Sequence, residues 1–149
     1  MPIKIHDNLP ARKLLQNEIV DVIDSSTAEK QDIRPLKFLL LNLMPKKLET
    51  EVQFARLLGA SPLQIELTLM TTETYSPKNT KKDHLIEFYK TLDDIKNNFY
   101  DVLIITGAPV ETVPFKKVKY WNELEKIISW SSRNVFRRIG VCWGAQALL

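Results

Sequence analysis

Cys142 is the only cysteine of the chain, and it stands in the run Gly140-Val141-Cys142-Trp143-Gly144. Residues 134–139 before it read as a strand, and residues 145–149 after it have helix-forming composition. Strand, tight turn and helix together are how an α/β enzyme presents a nucleophile. Glycine on both sides fits, because such an elbow strains the backbone and brings neighbouring segments closer than a Cβ allows. Unpaired amides at the start of the following helix favour a thiolate and, later, an oxyanion. A free thiol ionises near about pH 8.5, so it needs that help at neutral pH. A lone cysteine is otherwise commonly a buried structural residue. The G-x-C-x-G setting behind an apolar strand is what favours chemistry.

The elements that must position this thiol alternate along the chain. Residues 1–33 read as an N-terminal extension holding a short helix at 10–17, an extended apolar patch at 19–23 and a polar loop at 24–32. The domain proper then runs over 34–149. Residues 36–44 form an apolar run suited to a strand covered on both faces, closed by Pro45. Residues 47–58 carry a helical stripe with Gly59 as C-cap. Strict alternation at 63–69 marks a strand with one more polar face. After a Thr/Ser/Pro-rich loop at 71–79, the apolar spacing of Leu85, Ile86, Phe88, Tyr89, Leu92 and Ile95 predicts one helix over 82–96. A buried strand at 101–106 and a helix at 120–131, burying Leu124, Ile127, Ile128 and Trp121, lead to the elbow. Trp121 and Trp130 read as core.

This order implies parallel pairing through right-handed crossovers, hence an α/β fold with an open, mostly parallel sheet flanked by helices. In such sheets chemistry gathers at the carboxyl ends of the strands. Three loops qualify: 42–47, 106–112 and 140–144.

Composition narrows the classes of function. The 149 residues fit one domain, and 44% hydrophobic residues can supply its core. A net charge of +3, with no Lys/Arg stripe interleaved with aromatics, argues against nucleic acid, and Lys78, Lys81 and Lys82 read as a solvated loop. One cysteine and two histidines build neither a disulfide framework nor a zinc site, so no metal is expected. Met1 to Asp7 lacks an apolar signal core and no run is long enough to span a membrane, which makes the cytoplasm the expected location.

Four blocks in order carry a resemblance. They are Leu41-Asn42-Leu43-Met44-Pro45-Lys46-Lys47, Leu57-Leu58-Gly59-x-Ser61-Pro62-Leu63-Gln64, Thr106-Gly107-Ala108-Pro109-Val110-Glu111 and Cys142-Trp143-Gly144-Ala145-Gln146-Ala147. With them the chain, from about Leu9 onward, resembles the homoserine O-acyltransferase family of methionine biosynthesis. The resemblance implies a class I glutamine amidotransferase-like, flavodoxin-like three-layer fold. It also implies ping-pong chemistry in which Cys142 takes an acyl group from an acyl-coenzyme A and passes it to the hydroxyl of an amino-acid acceptor. Acetyl-CoA is then a co-substrate rather than a cofactor, L-homoserine is the acceptor, and a homodimer is the family's assembly.

The Trp143 amide is one candidate oxyanion donor, and Val110, in the 107–111 loop, is a second; that loop also reads simply as a turn ending a strand. Family members that use acetyl-CoA resemble this chain in having glutamate at the position of Glu111, where succinyl-CoA users carry a small residue such as glycine. A carboxylate there repels the terminal carboxylate of a succinyl group by roughly 4 kcal/mol at about 4 Å in an intermediate dielectric. Lys46 and Lys47, between the first strand and a helix, could meet coenzyme A phosphates or the thioester carbonyl, or stand solvated.

Members of the family run to about twice this length and carry a catalytic histidine and its glutamate partner in their second half. The chain is therefore expected to be a truncated, nucleophile-bearing half, marginally stable and inactive alone. His84 and His6 read as surface residues rather than substitutes. Competing readings are a serine O-acetyltransferase, a homoserine O-succinyltransferase, a glutaminase or peptidase of the same fold, and a non-catalytic fragment that needs a partner.

Overall fold

The computed structural model describes residues 3–18, 22–28, 33–74 and 81–149. In chain order the elements are β1 (Ile3–Lys4), α1 (Pro10–Asn17), β2 (Val22–Ile23), α2 (Ser25–Ala28), β3 (Leu36–Leu41), α3 (Lys47–Gly59) and β4 (Ile65–Met70). There follow α4 (Lys82–Phe88), β5 (Tyr89–Lys90), α5 (Leu92–Ile95), β6 (Tyr100–Ile105), a 3₁₀ turn (Phe115–Lys117), α6 (Trp121–Asn134), β7 (Val135–Gly140) and α7 (Trp143–Leu148). All seven strands join one parallel sheet in the order β2-β1-β4-β3-β6-β7, and β5 also pairs with β4. This is the open α/β sheet that the alternation of elements predicts.

β3 sits between β4 and β6, which explains why Leu36-Lys37-Phe38-Leu39-Leu40-Leu41 is nearly continuous in apolar residues. Because side chains alternate along a strand, Leu39 and Leu41 join Leu103 and Ile105 on one face, packed with Ile95, Leu124, Ile127 and Trp143. Leu40 and Ile104 face the other way, into a second core with Leu67, Leu69, Val52 and Ala55. On β4 the alternation expected from 63–69 is present, with Ile65, Leu67 and Leu69 buried and Glu66 and Thr68 partly exposed.

Residues expected to form an N-terminal extension are built into this second core. Ile3, Ile5, Leu9, Ala11 and Leu15 are each at most 3% exposed, and β1 pairs with the start of β4. The short apolar spacing at Ile3 and Ile5 is too brief to show a period, yet it covers one edge of β4. Pro10 opens α1, where its missing N–H costs nothing.

Three local expectations are corrected. The helix read over 82–96 is two short helices with β5 between them, because Tyr89 leaves the helical path to pair with Leu69 at the carboxyl end of β4. A capping box restarts the chain, with Thr91 N–H and Oγ1–H both donating to Asp94 Oδ2 at 2.9 and 3.0 Å. Ile86, counted in the supposed apolar stripe, is 81% exposed, so the six residues never shared one face. Gly59 is the last helical residue rather than a cap, and Ala60 ends the helix at φ −78°. Within the 24–32 loop, Ser25–Ala28 is helical; residues 19–21 of the apolar patch, 29–32 of that loop and 75–79 of the next lie outside the described residues.

Trp121 and Trp130 pack against the first core as expected, and the Trp130 indole N–H donates to the Lys96 carbonyl at 2.9 Å. β7 is an edge strand among the described residues and leaves Phe136 73% and Ile139 47% exposed. No helix among the described residues is long and apolar enough to cross a membrane.

Candidate active site

β7 and α7 are joined by Val141 and Cys142 alone. Cys142 adopts φ 54° and ψ −121°, and among the described residues no other non-glycine has positive φ. A side chain rarely tolerates that conformation, so the surrounding backbone must hold it. It does so through three main-chain bonds: Val141 N–H to Ile105 O at 2.9 Å, Gly144 N–H to Val141 O at 3.0 Å and Ala145 N–H to Cys142 O at 3.0 Å.

The two flanking glycines are required by contact. A Cβ on Gly144 would lie 2.4 Å from Ile105 O and 2.6 Å from Thr106 O, and one on Gly140 would lie 2.4 Å from Ala145 Cα. The elbow therefore presses directly on the end of β6. Trp143 holds α7 from the other side: its ring is 1% exposed and packs on Phe115, Tyr120 and Trp121.

The Cys142 thiol is exposed and opens into a cleft of about 480 Å³. Its walls are Val141, Trp143 and Gln146 from the elbow, Thr106 to Pro109 and Glu111 after β6, Met44 after β3, and Thr50, Gln53 and Phe54 of α3. The three loops expected to carry chemistry thus converge at the carboxyl ends of their strands. Thr106 ties two of them together, its Oγ1 accepting from Leu43 N–H at 2.8 Å and donating to Gly107 O at 3.0 Å. Thr50, Gln53 and Phe54 escaped the sequence reading. Their 3 and 4 spacing on α3 put them on one face, which was the available signal.

The remaining expected residues separate. Glu111 is exposed on the cleft wall. The Trp143 N–H makes no hydrogen bond among the described residues and lies at the start of α7 next to the thiol. Val110 differs from the expected oxyanion donor: its N–H is committed to Ala108 O at 2.8 Å, within a tight turn, and its side chain lines a neighbouring cavity of about 400 Å³. Lys46 is exposed and paired with Glu49 at 3.2 Å. Lys47 is 3% exposed. Neither lysine lines the Cys142 cleft; both line a separate cavity of about 680 Å³ with Lys81 and His84.

Lys47 is buried in a polar cluster that sequence reasoning did not find. Its ammonium donates to the Asn42 carbonyl, reaches Met44 O at 3.5 Å and lies 5.4 Å from the centre of the Tyr89 ring. Burial pushes its pKa down to about 8, opposed by the charge of Glu51 one helical turn on. Glu51 is 1% exposed, and its Oε1 accepts from Tyr89 OH at 2.6 Å and pairs with His84 Nε2 at 2.9 Å. Burial, then the Glu51 charge and hydrogen bond, raises the Tyr89 phenol well above its ordinary value. His84, expected at the surface, has only 15% of its side chain exposed because it fills this bond and packs at a tilt on the Phe88 ring, 4.9 Å between centres. His6 is exposed, as expected. Neither histidine lines the Cys142 cleft.

Residues 2–149 match the family model described as "HTS: Homoserine O-succinyltransferase". The chain is 54% identical over 147 residues to a protein of Shouchella clausii named homoserine O-acetyltransferase, covering 99% of this chain and 48% of that one. Proteins of the same name from Novosphingobium aromaticivorans and Acetivibrio thermocellus are 53% and 52% identical over 149 residues, covering all of this chain and 50% and 49% of theirs. The chain spans about half the length of the curated relatives it matches.

Proposed function

The chain belongs to the homoserine O-succinyltransferase family, and from that premise we propose that it carries the nucleophile site of an acyl transfer from acetyl-CoA to the hydroxyl of L-homoserine. The observation that carries this is Cys142 itself, held at positive φ on the strand-to-helix elbow with its thiol open to the cleft.

The chemistry follows from that position. The Cys142 thiolate attacks the thioester carbonyl, the C–S bond to coenzyme A breaks, and coenzyme A leaves as its thiolate, with the acetyl group now on Cys142. The homoserine hydroxyl then attacks the acetyl-enzyme, its proton passes to a base, and the Cys142 thiolate is regenerated with the O-acetyl ester as product. Both tetrahedral intermediates place negative charge on oxygen, where the unengaged Trp143 N–H supports stabilisation. Val110 would serve as a second donor only after its amide left the Ala108 carbonyl. His6 and His84 lie off the cleft, so neither is assigned the role of base.

Glu111 supports acetyl over succinyl, because a carboxylate on the cleft wall repels the terminal carboxylate of a succinyl group. Lys46 is free to meet coenzyme A phosphates only at the price of its pair with Glu49, and Lys47 is turned into the protein, which supports a bracing role over ligand contact. Acetyl-CoA acts as co-substrate and no resident cofactor or metal is invoked. A cytoplasmic location and a homodimeric assembly complete the proposal.

Intact-protein mass spectrometry after incubation with acetyl-CoA tests it. Full transfer to homoserine is not expected of this chain alone; the first half-reaction is, with one acetyl adduct on the wild-type chain and none on Cys142→Ser. An adduct of equal yield on the serine variant would move the nucleophile elsewhere.

A further inference from the structure

Gly107, Gly140 and Gly144 all stand near Cys142, but they are glycine for different reasons. Gly140 and Gly144 have no room for a side chain, since a Cβ on either would meet backbone at 2.4 Å. Gly107 has room. Its φ is not positive, and a Cβ built on it would find its nearest neighbours at 3.4 and 3.8 Å, which are van der Waals separations. Backbone conformation and packing would both accept alanine there. Glycine instead leaves a methyl-sized space open on the wall of the Cys142 cleft.

The borders of that space select what can fill it. The nearest atoms are Cys142 Cβ at 3.4 Å, Cys142 Sγ at 3.8 Å and Met44 Sδ at 3.8 Å. None is nitrogen or oxygen, so a hydroxyl, ammonium or carboxylate would lose its hydrogen bonds to water without replacement. Hydrocarbon fits, and a polarisable thioether packs well against it. The distance to the thiol says which hydrocarbon. An acyl carbon poised for attack stands about 3–3.5 Å from its nucleophile, and the next carbon, about 1.5 Å on and roughly perpendicular to the approach, then lies about 3.5–4 Å from it. The open position, 3.8 Å from Sγ, falls in that range. Hydrogen bonds fix the opposite border. Met44 N–H donates to Asn42 Oδ1 at 3.1 Å, and Leu43 N–H donates at 2.8 Å to Oγ1 of Thr106, the residue before Gly107.

We propose that Gly107 is a specificity-determining residue: the space left by its missing side chain receives the carbon next to the carbonyl of the transferred acyl group, and Met44 limits how much chain can follow. The proposal rests on the assignment of Cys142 as nucleophile. It adds selection by length to the selection by charge at Glu111, and neutral acyl groups of increasing length separate the two. A chain longer than acetyl must displace the Met44 thioether.

The test uses the whole chain and the acetyl, propionyl and butyryl thioesters of N-acetylcysteamine, neutral donors that acylate an exposed thiolate by exchange and need no coenzyme A site. Cys142 is the only cysteine, so intact mass reports its acylation rate directly, and division by the rate of free glutathione removes intrinsic donor reactivity. One methyl group in a fitted pocket is worth roughly 10- to 200-fold. Gly107→Ala should therefore slow acetylation by about 10-fold or more with its urea midpoint little changed. Oxidation of the same thiol by hydrogen peroxide, which transfers a single oxygen, should stay within about twofold. Met44→Ala should raise propionyl and butyryl relative to acetyl by about 10-fold. A folded Gly107→Ala chain acetylated at the wild-type rate overturns the proposal, and so does an equal loss with peroxide, which would place the effect on the thiol itself. Should Gly107→Ala not fold, Met44→Ala decides: an unchanged order of chain lengths overturns it. Failure of the acetyl-CoA adduct, or its persistence on Cys142→Ser, would leave these chain-length ratios readable, so the two assignments fail separately.

Discussion

Replacing Gly144 by alanine tests whether the elbow is pressed onto β6 as closely as the contacts indicate. The added Cβ would sit 2.4 Å from Ile105 O and 2.6 Å from Thr106 O. Ordinary carbon contacts begin near 3.5 Å, so α7 must retreat by roughly 1 Å. Neither oxygen belongs to a side chain that can rotate away, and Ile105 O already accepts the Val141 N–H. Overpacking of this kind costs about 1–3 kcal/mol, and weakening that bond adds about 1 kcal/mol. Higher helix propensity of alanine returns just under about 1 kcal/mol, leaving a net loss near 1–3 kcal/mol. Thioester formation should suffer more, because a displacement of about 1 Å at a reacting group can cost roughly 100-fold in rate. The assay pairs urea denaturation with stopped-time mass spectrometry of the acetyl adduct. Ala147→Gly is the control: it lowers helix propensity on the same helix and adds no Cβ against β6, and should lose about 1 kcal/mol with the adduct rate kept. A Gly144→Ala chain that forms the adduct within about twofold of wild type would refute the contact argument.

Two further outcomes are expected. Glu111→Gly should raise the use of succinyl-CoA relative to acetyl-CoA; because Glu111 is exposed, the repulsion falls from the roughly 4 kcal/mol of an intermediate dielectric to about 1–2 kcal/mol, or roughly 5- to 30-fold. Adduct ratios in a mixture of the two donors measure it, and an unchanged ratio would sink the role of Glu111. Lys47 releases its proton near pH 8 when folded and near about 10.4 when unfolded, so between these values the unfolded chain binds more protons. Stability should therefore rise with pH across that window, by about 3 kcal/mol at most, and Lys47→Met should remove this rise in paired denaturation curves.

The fold was legible wherever hydrophobic period and breakers agreed. β3, α3, β4, β6 and α6 each combine an unmistakable pattern with a Pro, Gly or polar stop, and the elbow announced itself through two glycines around a cysteine. Legibility failed where a few residues serve a distant partner. Ile3 and Ile5 are meaningful only beside β4, and Tyr89 breaks a helical pattern because Leu69 of β4, Glu51 of α3 and Asn42 in the turn after β3 claim it. The polar cluster was invisible for the same reason. Lys47 read as a ligand contact or a solvated lysine, and nothing local says that α4 and β5 close over it and Glu51. Val110 shows the converse: its loop was expected to offer a donor, but the turn that forms the loop engages the amide.

β5 consists of two residues, held to β4 by the Leu69–Tyr89 and Met70–Lys90 pairs and by Thr71 N–H to Lys90 O at 3.0 Å. So short a strand is a natural site of local opening, and its amides should exchange with solvent well before those of β3. Each opening would withdraw the Tyr89 hydroxyl from Glu51 and Asn42 and admit water to charges that are otherwise dry. The hydration of the buried ion cluster is thereby governed by the lifetime of a two-residue edge, which makes the peptide between α4 and α5 a kinetic gate for the electrostatics beneath the cleft.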